Sequence, residues 1–259
     1  MYHLKDSGFI IRITPHKEKD TLLKIFSKKD GVNNYYLKNV RTPKSNRNKN
    51  IELLNYIDFS YSEKSEGLRF LSDLKLKNKF DILKNINTYY AETYILSECL
   101  NSTLNDNIRN PEIFNLLVDV SNYISNYTTD NEIEQADVNK NDSRILLSLI
   151  LLRIISESGY LPDISHCQIN NNILEISDNI GTLPDKIGYA KMNSSPDKDI
   201  LKVIKIQKFW LNDDVNLKNL INLKLTDHLL DKIINIELNW CEIIIGRKLK
   251  SRNMLIFKN

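Results

Sequence analysis

Lys38, Arg41, Lys44, Arg47 and Lys49 lie in the segment Leu37 to Asn50 with no acid among them. They recur every two or three positions, interleaved with Asn, Ser and Thr. Such a segment between two strands can follow a phosphate backbone by electrostatics and counterion release, without reading bases. Tyr35 and Tyr36 stand just before it, and Phe59 and Tyr61 follow on the next predicted strand. Aromatics beside a basic groove can stack on unpaired bases. Along an alternating strand, however, half of them must turn into the core. Arg12 and Lys24, on two earlier predicted strands, add cations to the same module. The plain alternative is a chance excess of solvated lysines, since the chain is rich in Lys, Asn and Ile throughout.

Placement of charge favours a polyanion at the N-terminal end. The 259 residues carry a net charge of only +3, but residues 1–80 hold +8, residues 81–160 hold −7 and residues 161–259 hold +2. A basic module followed by an acidic one is the footprint of a chain that handles nucleic acid at one end.

Other chemistries find less support. His166-Cys167 offers two metal ligands at most, and His3, His16 and His228 have no spacing that completes a tetrahedral set, so no metal or other cofactor is expected. There is no GxSxG, no GxGxxG and no GxxxxGK[ST]. Carboxylates such as Asp213-Asp214 and Glu132/Glu134 fall in polar stretches and read as solvated surface. A binding protein is therefore expected and an enzyme is not, although an unrecognised carboxylate site stays open as an alternative. Cys99, Cys167 and Cys241 are few and far apart, which suits a reducing cytoplasm better than a disulfide framework. Cys99 and Cys241 fall on helical faces that read as core-facing. The longest apolar stretch, Ile145 to Ile155, is broken by Ser148 and Arg153 and falls short of a membrane span. The N-terminus shows no apolar leader segment.

The elements that must position these residues divide at Phe80. Before it, Gly8–Ile13, Thr21–Ser27, Val32–Val40, Ile51–Tyr61 and Leu68–Lys77 read as strands separated by Pro, Gly and charged breakers. Five short strands in 80 residues suit a small barrel of the oligonucleotide-binding (OB) type, or else an SH3-like barrel or open sheet. After it the apolar period becomes helical: Asp81–Leu104, then a helix capped by Asn110 with Pro111 in its first turn, then Ser143–Ser158, Ile200–Trp210 and Leu217–Ile245. Tyr127–Asn141 reads as a polar linker. Residues 167–197 lack helical period and read as an irregular insert with a small hairpin. The expected fold is α+β, with a five-stranded OB barrel at 1–80 and a helical domain at 81–259 interrupted at about 163–197.

The order of these features resembles the RecO family of bacterial recombination mediators. The similarity rests on Gly8-Phe-Ile-Ile, Glu18-Lys-Asp-Thr-Leu-Leu-Lys-Ile-Phe-Ser27 and Asp30-Gly31 at the opening strands, and on the basic run Lys38, Arg41, Lys44-Ser45 and Arg47. It continues through Leu151-Leu-Arg-Ile-Ile-Ser-Glu-Ser-Gly-Tyr-Leu-Pro-Asp-Ile-Ser-His-Cys167 and Gly246-Arg-Lys-Leu-Lys-Ser-Arg252. In one respect the chain departs from it. Many members carry four zinc-binding cysteines in the insert; here Cys167 matches the first, Asn170 stands at the second, and residues 171–197 contain none.

The resemblance implies binding to single- and double-stranded DNA, annealing of complementary strands, and help in loading the RecA recombinase onto DNA coated by single-strand-binding protein (SSB). It implies RecR and the acidic SSB tail as partners, a cytoplasmic, nucleoid-associated site of action and no membrane. A tail ending in an apolar residue and a free carboxylate wants an apolar groove with a cation at its rim. Arg144 and Arg153, with Tyr90 and Tyr94, are the residues expected to supply it, unless Arg153 instead pairs with a carboxylate such as Glu92 or Glu98. An OB-fold RNA-binding protein is the alternative from another class. SSB-tail binding and duplex annealing would separate the two.

Overall fold

The computed structural model describes residues 3–40, 50–63, 69–80, 89–130, 140–161, 168–170, 173–175, 198–212, 217–221 and 223–255. By its internal contacts the chain forms two compact units, residues 1–138 and 139–259.

The first unit is built on a closed five-stranded barrel. Its strands are β1 (Leu4–His16), β2 (Asp20–Ser27), β3 (Gly31–Leu37), β4 (Tyr56–Glu63) and β5 (Arg69–Asn78). Around the barrel they run β1-β2-β3-β5-β4, and β4 returns to β1. All pairs are antiparallel except β3 with β5, which meet in parallel at Tyr35↔Arg69 and Tyr36↔Phe70. β1 is long enough to serve two partners: Leu4–Phe9 pair with β4, and Gly8–His16 pair with β2 across an irregularity at Ile10/Arg12. Where the two pairings overlap, the chain needs a glycine. A Cβ on Gly8 would lie 2.6 Å from the Ile25 side chain and 2.7 Å from the Phe26 carbonyl oxygen.

Alternation sorts the strand residues by face. Leu23, Ile25, Tyr35, Leu37, Ile57, Phe59, Tyr61, Leu71 and Leu74 fill the barrel with Ile10, Val40 and Ile51. At one end the interior is polar. The Arg69 guanidinium donates to Asp30 (3.2 Å) and Tyr35 Oη (3.3 Å), and Tyr61 Oη donates to Asp30 at 2.5 Å. Burial pushes the Tyr35 hydroxyl up to about 12, so it stays protonated. The strand expected to start at Ile51 begins only at Tyr56. Residues before it turn instead: Leu54 has φ +62°, its N–H bonds Ile10 O at 2.7 Å, and Asn55 N–H bonds Glu52 O at 3.3 Å.

Among the described residues this unit adds two helices, α1 (Tyr89–Thr103) and α2 (Pro111–Asp130). The period change at Phe80 therefore lies inside the first unit. Asn110 caps α2 as expected, accepting from Ile113 N–H at 3.0 Å. The helix runs to Asp130, three residues beyond the expected start of the polar linker at Tyr127, while residues 131–139 lie outside the described part. α2 packs on the outer barrel wall. Phe114 packs edge-on against Phe9 (5.6 Å between centroids) and Phe26 (5.5 Å), and Phe9 stacks on Tyr56 at 4.7 Å.

The second unit is helical: α3 (Lys140–Glu157), α4 (Lys198–Trp210), α5 (Leu217–Ile221) and α6 (Asp227–Ile245). Its apolar core runs through Ile145–Leu147 and Leu149–Leu152 of α3 and Leu230, Ile233, Ile234 and Leu238 of α6. Cys99 in the first unit and Cys241 in this one are fully buried, in keeping with their helical faces. The helix expected over Leu217–Ile245 is two helices. Residues 223–226 are not helical, and the Thr226 hydroxyl accepts from Leu229 N–H at 3.4 Å, capping a new helix. Of the insert, the antiparallel strands β6 (Gln168–Asn170) and β7 (Ile173–Glu175) are described; His166 and Cys167 are not. No helix among the described residues is long and apolar enough to cross a membrane.

Candidate nucleic-acid interface

The outer face of β1, β2 and β3 carries the residues of interest. On β1, β2 and β3 the interior takes Ile13, Leu23, Tyr35 and Leu37, so their neighbours face outward. Two cross-strand rows result: Arg12↔Lys24↔Asn34, and Thr14↔Leu22↔Tyr36↔Phe70. His16 and Asp20 pair at the end of the β1–β2 hairpin. Of the four aromatics expected beside the basic segment, Tyr35, Phe59 and Tyr61 are core, and Tyr36 is half-buried on the outside.

Tyr36 does not stand alone. Its ring meets Phe70 edge-on at 5.4 Å and 73°, and His16 at 5.4 Å and 81°. Its hydroxyl donates to Asp20, whose other oxygen accepts from Asn39 N–H at 2.9 Å. The Tyr36 hydroxyl, ahead of the Asn39 amide, holds the Asp20 carboxyl below the usual range. The same bond, seen from the other side, raises Tyr36. Lys38 is exposed and places its ammonium 5.6 Å from the Phe70 ring centre, within cation–π range. Phe70, His16 and Asp20 were not singled out from sequence. Only the parallel β3–β5 pairing brings Phe70 beside Tyr36, and no local pattern encodes that.

The expected DNA-binding cations fare unequally. Arg12 and Lys38 are exposed. Lys24 is bonded to Asp106 at 3.0 Å, in the loop between α1 and α2, so its charge is already partly answered. Arg41, Lys44, Arg47 and Lys49 lie outside the described residues, in the segment that follows Lys38 by three positions or more.

The residues expected at the SSB tail fall in both units. Tyr94, on α1 in the first, is 45% exposed, and the side chain of Tyr90 lies outside the described part. Arg144 and Arg153 sit on α3 in the second. Arg144 is buried and bonded to Asp231 of α6. Arg153 lies 4.0 Å from Glu157, one turn along, with its side chain 21% exposed. Beside the Arg144 pair, Ser148 Oγ donates to Glu237 at 2.5 Å and Gln207 Nε2 donates at 3.2 Å, and burial pushes the Glu237 carboxyl up to about 8.

The closing basic stretch is folded back on α6. Glu242, itself buried, accepts from Leu249 N–H (3.0 Å), Lys248 (3.0 Å) and Arg252 (2.9 Å), while Arg252 also donates to Asn239 and Asn235. Among the described residues no group of three or more His, Cys, Asp or Glu side chains is placed to hold a metal ion.

Residues 1–80 match the family model described as "Recombination protein O N terminal". Two curated relatives called "DNA repair protein RecO", from Streptococcus suis strains 05ZYH33 and 98HAH33, are each 31% identical over 123 residues. Those matches cover 46% of this chain and 45% of each relative, so the chain spans a little under half the length of the curated relatives it matches.

Proposed function

Because these matches support the RecO family, we propose that the protein is a DNA repair and recombination mediator whose N-terminal barrel binds DNA. It binds single and double strands, anneals complementary strands and helps load RecA onto SSB-coated single strands. It works with RecR and the acidic SSB tail, in the cytoplasm at the nucleoid, without catalysis or a cofactor of its own. The observation that carries the DNA reading is the outer wall of β1–β2–β3. There Arg12 and Lys38 stand exposed beside half-buried rings, and the chain leads from that wall straight into Arg41, Lys44, Arg47 and Lys49. Cations on a sheet face suit phosphate contacts that position a strand without specifying its sequence. For the SSB tail, the reading leans on Arg153, since the Arg144 guanidinium already meets Asp231 inside the core.

The test replaces Arg41, Lys44 and Arg47 with Ala. Affinity should fall about equally for all sequences, and the log–log salt slope on single strands should shrink by about two units if all three contact phosphates. An unchanged affinity and slope would move the DNA site away from this basic segment, with Lys248 to Arg252 the next stretch to vary.

A further inference from the structure

We propose that Tyr36 and Phe70 form a fixed aromatic corner on which unpaired bases stack, so that the barrel holds single strands by the ring faces of their bases as well as by their charge. This deepens the DNA reading above and rests on it.

Three observations carry it. First, the two rings come from different strands and stand almost perpendicular, 5.4 Å apart, on the outer wall. Neither is core: the barrel interior takes Tyr35 and Leu71, their immediate neighbours in sequence. Second, the Tyr36 ring is held on three sides, by its hydroxyl bond to Asp20, by His16 and by Phe70. A ring already fixed loses little freedom when a base settles on it, and that pre-organisation is what makes an aromatic side chain an effective platform. Third, cations flank the corner: Lys38 places its ammonium over the Phe70 ring and Arg12 stands in the outer row on the other side, with the Asp20 carboxylate at the hydroxyl end of Tyr36. The phosphates of a bound strand can meet these cations beside the rings while its bases meet the ring faces. The rings under α2 make the contrast. Phe9, Phe26 and Tyr56 are covered by Phe114, whereas Tyr36 and Phe70 stay partly exposed. A paired base shows no free ring face to such a corner; an unpaired one does.

The experiment compares three probes of one length: a thymidine homopolymer, the same deoxyribose-phosphate strand without bases, and a duplex. Wild type, Tyr36→Leu and Phe70→Leu are used as full chains, with thermal melts to confirm folding; leucine keeps apolar bulk on the wall and removes only the ring. Wild type should bind the homopolymer roughly tenfold more tightly than the abasic strand. Each leucine variant should lose most of that gap while its duplex affinity and salt slope stay as in wild type, and Tyr36→Phe should keep the gap. Equal wild-type affinity for homopolymer and abasic strand would overturn the stacking proposal and leave the phosphate reading standing. So would a full gap in both folded leucine variants. Failure of wild type to bind any of the three at low salt would instead overturn the DNA reading of this wall, and the stacking proposal with it.

Discussion

Arg12 and Arg144 are the same residue type, and each was singled out from sequence as a contact to an outside partner. The barrel wall leaves Arg12 in solvent, whereas the helical unit closes around Arg144 and gives it Asp231. The difference follows from how the two units make their cores. A small barrel fills its interior with every second residue, so the intervening residues must face out wherever nothing covers them. A helix that is buried all round, as α3 is from Ile145 to Leu152, has no outside to offer there, and a cation that turns into its core has to find an internal carboxylate, whereas Arg153 beyond it stays partly exposed. The lesson is that cations on a strand are available by default and cations on a central helix are committed by default.

The largest effect expected from that contrast is on stability. Arg144→Ala should destabilise the helical unit by about 3–5 kcal/mol, because it strands Asp231 in the core. Arg12→Ala should leave the melting midpoint nearly unchanged. Two equal midpoints by calorimetry would break the comparison.

A smaller effect is set by pH. Burial lifts Glu237 to about 8 in the folded protein, against an ordinary value near 4.5 for the unfolded chain. Between those two values the folded form keeps a proton that the unfolded form has lost. Stability must therefore fall as pH rises through that window and level off above about 8. Glu237→Gln keeps a group that can bond both Ser148 and Gln207, and it should flatten the profile and raise stability at pH 8. Unfolding curves from pH 5 to 9 that slope alike for both proteins would show that the helical unit does not hold this acid neutral.

The smallest effect separates two cations on the barrel wall itself. Arg12→Ala should reduce the salt slope on single strands by about 0.7 if it meets one phosphate. Lys24→Ala should reduce it less, because Asp106 already occupies that ammonium, and Asp106→Asn should raise DNA affinity modestly by releasing it. The ion pair itself is worth at most about 1 kcal/mol, since Asp106 is 55% exposed. Equal slopes for Arg12→Ala and Lys24→Ala would place both cations on phosphate.

What was legible in the sequence was what repeats locally. Alternating apolar residues gave five strands, and the cap at Asn110 gave the start of α2. Alternation also required some of the neighbouring aromatics to face inward, and Tyr35, Phe59 and Tyr61 do. Features that depend on distant partners were not legible. Asp231 is 87 residues from Arg144. Phe70 reaches Tyr36 only through a parallel pairing that no nearby pattern announces. The turn at Leu54 hid inside an apolar run that reads as strand, because its cause is a bond to Ile10 on another strand. The break at 223–226 hid in a run of helical spacing, where Thr226 acts as a cap and not as one more helical residue.

The docking of α2 on the barrel has a consequence for the chain while it is being made. The barrel strands are complete by Asn78, but what covers them comes later. Asn107 N–H bonds Val32 O at 2.9 Å, and Phe114 closes over Phe9, Phe26 and Tyr56. The fit is close: Gly31 has φ +68°, and a Cβ there would lie 2.1 Å from the Ile108 carbonyl oxygen. Synthesis runs from the N-terminus at about 5–20 residues per second, so an emerging barrel waits roughly 2–7 s between its last strand and its lid. For those seconds a cluster of aromatic rings is wet, and a newborn chain offers its neighbours on a crowded polysome a sticky face that the finished protein never shows.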